Sequence, residues 1–104
     1  MSSIYIITTL GKSIPGLNMP DNHRIVGWFK DVLDASYVIH ANPHLYEDGH
    51  YPYAIIEEIE EGLYSRAKPI AVFKWDKELQ AYLYIRNKQN RPKWFRDGMT
   101  FGIG

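Results

Sequence analysis

The sequence predicts an α+β domain: a single small, mostly antiparallel sheet of about five strands with one helix packed across it. Three observations lead there. Short β-branched and aromatic runs recur at residues 3–9, 24–29, 53–59, 69–75 and 81–86, each bounded by turn formers. Residues 31–41 instead carry a helical apolar period with a capping residue in front of it. The length of 104 residues suits one domain, 1–104, around one modest core.

Residues 3–9 (Ser-Ile-Tyr-Ile-Ile-Thr-Thr) form the first predicted strand, closed by Gly11. Residues 10–23 contain Gly11, Pro15, Gly16, Asn18, Pro20, Asp21 and Asn22, a loop long enough to serve binding. Residues 24–29 (Arg-Ile-Val-Gly-Trp-Phe) form the second strand, and Gly27 within it predicts a bulge or a close backbone approach. Asp31 is placed to cap a helix through about Ala41, with Val32, Ala35, Val38 and Ile39 as its apolar stripe. Asn42 and Pro43 end it, Asn by tolerating a left-handed cap and Pro by being unable to continue.

Residues 44–52 read as an irregular connection with a turn at Asp48-Gly49. Residues 53–59 read as the central strand, ended by Glu61-Gly62. After an ambiguous stretch at 63–67, residues 69–75 and 81–86 form a hairpin across 76–80. The tail, 92–104, holds Trp94, Phe95, Met99, Phe101 and Ile103. It is too apolar to stay loose, so it is expected to dock on the domain. The helix lies between two strands, a crossover that allows one parallel pair.

Composition narrows the chemistry. Cysteine is absent, which excludes a disulfide framework, thiolate metal sites and a cysteine nucleophile. No cofactor motif is present. The start of the sequence shows no signal-peptide pattern and no apolar run reaches membrane-spanning length, so a cytoplasmic location without membrane attachment is expected. Twelve basic and twelve acidic residues cancel, which argues against nucleic acid as a partner because phosphate binding leaves a basic footprint. The charge is uneven along the chain. Residues 47–61 hold six acids and no Lys or Arg, whereas residues 86–96 hold Arg86, Lys88, Arg91, Lys93 and Arg96 with no acid. These two stretches either pair in the fold or face different partners. The basic stretch interleaves cations with Trp94 and Phe95, which base stacking needs; a solvated basic tail with two docked aromatics is the competing reading.

Two groups of residues carry chemistry. His40, His44, Glu47, Asp48 and His50 lie within eleven residues and have the donor types of a metal site. Pro43 breaks the helix face that the pair His40 and His44 needs, so no metal site is assigned. The same histidines have the titration range of a general acid or base. Ser36, Ser65, Arg24 and Arg66 lack any spacing that ties them to a catalytic motif. In the strand 53–59, Tyr53, Ile55, Glu57 and Ile59 share one face, and Ala54, Ile56 and Glu58 the other. Glu57 then sits among isoleucines, and a buried carboxylate needs a partner; Arg24 is the expected one. The alternatives are a structural ion pair, or a polar anchor in a pocket walled by Tyr51, Tyr53, Tyr64 and Trp75. The candidate ligand-binding set is therefore Arg24, Tyr51, Tyr53, Glu57, Tyr64, Arg66 and Trp75.

The chain resembles a loose group of short phage, mobile-element and low-GC Gram-positive proteins with no assigned activity. The resemblance lies in Tyr5-Ile6-Ile7-Thr8-Thr9, in Arg24 to Phe29, and in Tyr46 to Glu58 with its Tyr-Pro-Tyr-Ala-x-Ile-Glu-Glu element. It continues in Glu61-Gly62-Leu63-Tyr64, Phe73-Lys74-Trp75 and Phe101-Gly102-Ile103-Gly104. It spans most of the chain and implies an accessory, host-directed role. The leading expectation is a non-enzymatic binding protein that inhibits host defence, by binding a host protein or by sequestering a small nucleotide-like ligand. If a nucleotide is captured, Arg24 or Arg66 is expected on phosphate and Tyr51, Tyr53 or Tyr64 on the base. The alternatives are a small hydrolase of nucleotide signals using His50 or Glu47, metal-dependent or not, and an assembly module that forms a homo-oligomer.

Overall fold

A computed structural model describes residues 2–63 and 66–101. The elements run β1 (Ser3–Leu10), β2 (His23–Phe29), α1 (Val32–Ala41), α2 (His44–Glu47), β3 (Tyr53–Glu60), β4 (Ala67–Asp76), β5 (Ala81–Tyr84) and α3 (Lys93–Arg96). The five strands form one sheet in the order β2-β1-β3-β4-β5. Every neighbouring pair is antiparallel, so the parallel pair that the crossover allows does not form. The reason is topological: β1 lies between β2 and β3, so these two run in the same direction without touching. The α+β class and the helix across the sheet are as the sequence predicts.

β3 sits at the centre, and residues 54–57 are buried on both faces of the sheet. On one face, Ala35 and Ile39 of α1 pack over Ile7, Ala54, Ile56, Ala71, Phe73 and Tyr82. α1 starts where expected: the Asp31 side chain accepts from Leu33 N–H at 2.7 Å. It ends differently. Asn42 is extended at φ −119°, not left-handed. Pro43 instead opens the short helix α2, with Asn42 Oδ1 accepting from His44 N–H at 3.1 Å. The expected irregular stretch after Pro43 thus begins with one helical turn. Its left-handed residue is His50 (φ 53°), and Gly49 leaves room for the Tyr51 ring, which a Cβ there would strike.

On the other face, Trp94 and Phe95 of α3 cover Leu10, Ile55 and Val72, with Tyr53, Ile85, Met99 and Phe101 around them. The tail docks, as its composition requires; Ile103 lies outside the described residues. A glycine cap makes the docking possible. Gly98 is left-handed (φ 80°), its N–H donates to the Phe95 carbonyl at 3.1 Å, and Met99 N–H donates to the Trp94 carbonyl at 3.0 Å. This paired closure reverses the chain after α3 and lays Met99 and Phe101 back on the sheet.

Two bulges set the faces. Gly27 pairs with Ile7 but Ile25 with Thr8, leaving Val26 as an extra residue beside Gly27. Ala71 pairs with Ile56 but Pro69 with Glu57, leaving Ile70 extra. Pro69 is tolerated because β5 reaches only Phe73 to Asp76 of β4, so Pro69 needs no outer hydrogen bond.

Gly98→Ala puts a Cβ into a left-handed conformation and is expected to cost about 1–2 kcal/mol in urea unfolding. An unchanged midpoint would show that the cap does not hold the tail.

Candidate functional site

The sheet separates the residues that the sequence grouped. Tyr53 and Glu57 face the tail, where the Tyr53 ring meets Trp94 edge-on at 5.8 Å. Trp75 faces the helix, stacked on Tyr46 at 4.2 Å with the rings 5° from parallel. The backbone carbonyl of Tyr51 accepts from the Tyr82 hydroxyl at 2.7 Å. Arg66 is exposed at the far end of the sheet, in a depression with Glu58, Glu60, Glu61 and Leu63. Tyr64 and Ser65 lie outside the described residues. The structure therefore brings Tyr51 close to the Trp75 and Tyr82 cluster, and leaves Tyr53, Glu57, Arg24 and Arg66 elsewhere.

Glu57 is fully buried, as its apolar neighbours imply, but Arg24 is not its partner. Its carboxylate accepts from Phe101 N–H at 2.9 Å and from the Thr8 hydroxyl at 3.4 Å. Arg24 pairs with Asp48 on the opposite side of the sheet. The bulge at Val26 is the cause: counting back from Gly27 without it, Arg24 would stand across from Leu10 and face the tail. With it, Arg24 pairs with Thr9 and faces the helix. Glu57 thus acts as a clamp on the tail.

The histidine segment does not converge. His40 Nδ1 donates to the Tyr82 carbonyl at 3.0 Å, and exposed His44 lies 3.0 Å from Glu47. The His50 ring meets Tyr46 edge-on. Ser36 donates to the Val32 carbonyl in its own helix. Among the described residues, no group of three or more His, Asp or Glu side chains is placed to hold a metal ion, and no helix is long and apolar enough to cross a membrane.

The surface that stands out was not singled out in the sequence. On the tail face, the cross-strand rows Trp28–Ile6–Glu57 and Ile25–Thr8–Ile55 run inward from β2. The tail covers their inner ends. At the outer ends Trp28 is 58% and Ile25 49% exposed, beside partly exposed Ile4 and Ile6. β2 is also an edge strand without proline, presenting unpaired backbone groups to solvent. Trp28, Lys30, Ile4, Ile59, Glu60 and Glu61 take part in lining a shallow depression of about 870 Å3. The sequence signal was alternation in 24–29 with two large apolar residues, whose facing depends on the bulge.

Comparison with protein-family models, with curated proteins and with solved structures returns no match.

Two outcomes follow. Glu57→Ala leaves the Phe101 amide and Thr8 hydroxyl without their acceptor and is expected to cost about 3 kcal/mol, with Glu57→Gln costing less. A loss below about 1 kcal/mol for Glu57→Ala would contradict the clamp. Burial, reinforced by Tyr46 and Tyr51, raises the Tyr82 hydroxyl above its ordinary value of 10.0. A raised folded-state value means the stability it contributes is complete below about pH 10 and is lost as pH rises toward the folded value. Tyr82→Phe is expected to flatten the alkaline decline in denaturation midpoint; an identical decline in both proteins would contradict this.

Proposed function

We propose that the chain is a non-enzymatic binding protein that docks another protein along β2. The half-covered tail face, with Trp28 and Ile25 exposed on an open edge strand, is the observation that carries this reading. An edge strand offers main-chain hydrogen bonds to an extended segment, and alternate side chains of that segment meet the sheet face. Trp is the residue type most enriched among binding hot spots, and its large apolar ring gains most from being covered. Glu60 and Glu61 rim the same depression, so the fitting partner is an extended apolar segment bearing a basic residue.

The resemblance to short phage and mobile-element proteins supports a host factor as that partner and its inhibition as the outcome. The scattering of Arg24, Tyr53, Glu57 and Trp75 favours protein docking over capture of a nucleotide in a pocket between them. The same edge is also open to a second copy of the chain, the homo-oligomer reading.

Native mass spectrometry of protein recovered from host lysate tests this. Wild type is expected to carry a polypeptide mass that Trp28→Ala loses while keeping its thermal midpoint. A doubled mass lost in that variant would point to self-association, and a releasable adduct of a few hundred daltons to small-ligand capture. Partner retention by Trp28→Ala would contradict the proposed surface.

A further inference from the structure

Among the described residues, no ion pair joins the basic stretch to the acidic one. The described ion pairs are Arg24–Asp48, His44–Glu47 and Lys93–Asp97, none of which joins residues 86–96 to residues 47–61. The fold gathers three of the five cations instead. Lys88 lies on the 3-10 turn Lys88–Asn90, Arg91 closes that turn, and Arg96 ends α3. With Phe95 they line one depression of about 370 Å3, and no acidic side chain lines it.

Arg91 is oriented within the free protein. Its Nε donates to the Ile85 carbonyl at 3.1 Å and its Nη2 to the Tyr84 hydroxyl at 3.0 Å. Its guanidinium carbon lies 5.8 Å from the Tyr84 ring centroid and 5.6 Å from that of Phe95. These two bonds use two of the five guanidinium N–H donors, so an oriented fork remains for an anion. Lys93 is drawn aside by Asp97.

Three cations around one depression repel one another until an anion of comparable charge sits between them. A single carboxylate supplies one negative charge; a phosphate or diphosphate supplies two or more, with oxygens that match the arginine fork. Trp94 and Phe95 do not add a base platform, because they are buried against the sheet, at 1% and 8% exposure. We infer that the depression formed by Lys88, Arg91 and Arg96 binds the phosphate groups of an oligophosphate-bearing ligand. This site lies apart from β2 and does not depend on the docking proposed there.

Titration calorimetry at an ionic strength of about 20 mM, where screening is weak, tests it with two probes: pyrophosphate and a short oligothymidylate. Wild type is expected to bind pyrophosphate at one site. The double variant Lys88→Ala/Arg96→Ala changes exposed side chains, so it should keep the thermal midpoint and bind about tenfold more weakly or worse. Trp28→Ala should bind as wild type. Binding of the oligonucleotide alone, lost in the double variant, would identify a nucleic-acid backbone as the phosphate source and sustain the inference. Binding of neither probe, or equal binding by the double variant, would overturn it.

Discussion

A central strand that is apolar on both faces must be covered on both, and the rest of this structure follows from that requirement. Residues 54–57 of β3 are buried throughout. α1 supplies the cover on one side. The chain has no second long helix among its described residues, so a four-residue helix and the segment after it cover the other. Burying one large aromatic side chain contributes about 1.5–3 kcal/mol. Trp94, Phe95 and Phe101 are therefore enough to hold a short tail that has little helical stability of its own.

The cover on the tail side is partial, and its limits define the surface chemistry. Phe101 reaches Glu57 and the His23 ring, 5.3 Å away, at the edge of the sheet. The outer ends of the same cross-strand rows, Ile25 and Trp28, remain open. A buried carboxylate is costly without hydrogen bonds, and here one of them comes from the backbone of the covering segment. Glu57 therefore couples the position of the tail to the centre of the sheet. One buried donor, Trp94 Nε1, has no partner among the described residues.

Most of the fold was legible in the sequence because it depends on local pattern. The five strands, the Asp31 cap, the stripe on α1 and the docking of the tail each follow from nearby residues. The candidate site was not legible, because it depends on facing across strands. A single extra residue at Val26 turns Arg24 toward the helix and Ile25 toward the tail. The register Tyr53 to Lys74 puts Trp75 on the face opposite Tyr53. Neither the register nor the insertion of β1 between β2 and β3 leaves a mark in one sequence. Glu57 was found because its neighbours on the strand are isoleucines, whereas its partners come from 44 and 49 residues away.

Residue-resolved hydrogen exchange of the protein alone, at low concentration, tests the central claim most directly. A tail that covers only the inner half of its face predicts slow exchange for the β3 amides and for the Phe101 amide bonded to Glu57, with fast exchange for the outward amides of β2. Rapid exchange at Phe101, or protection of the outward β2 amides equal to that of β3, would contradict a tail that is docked and an edge that is open.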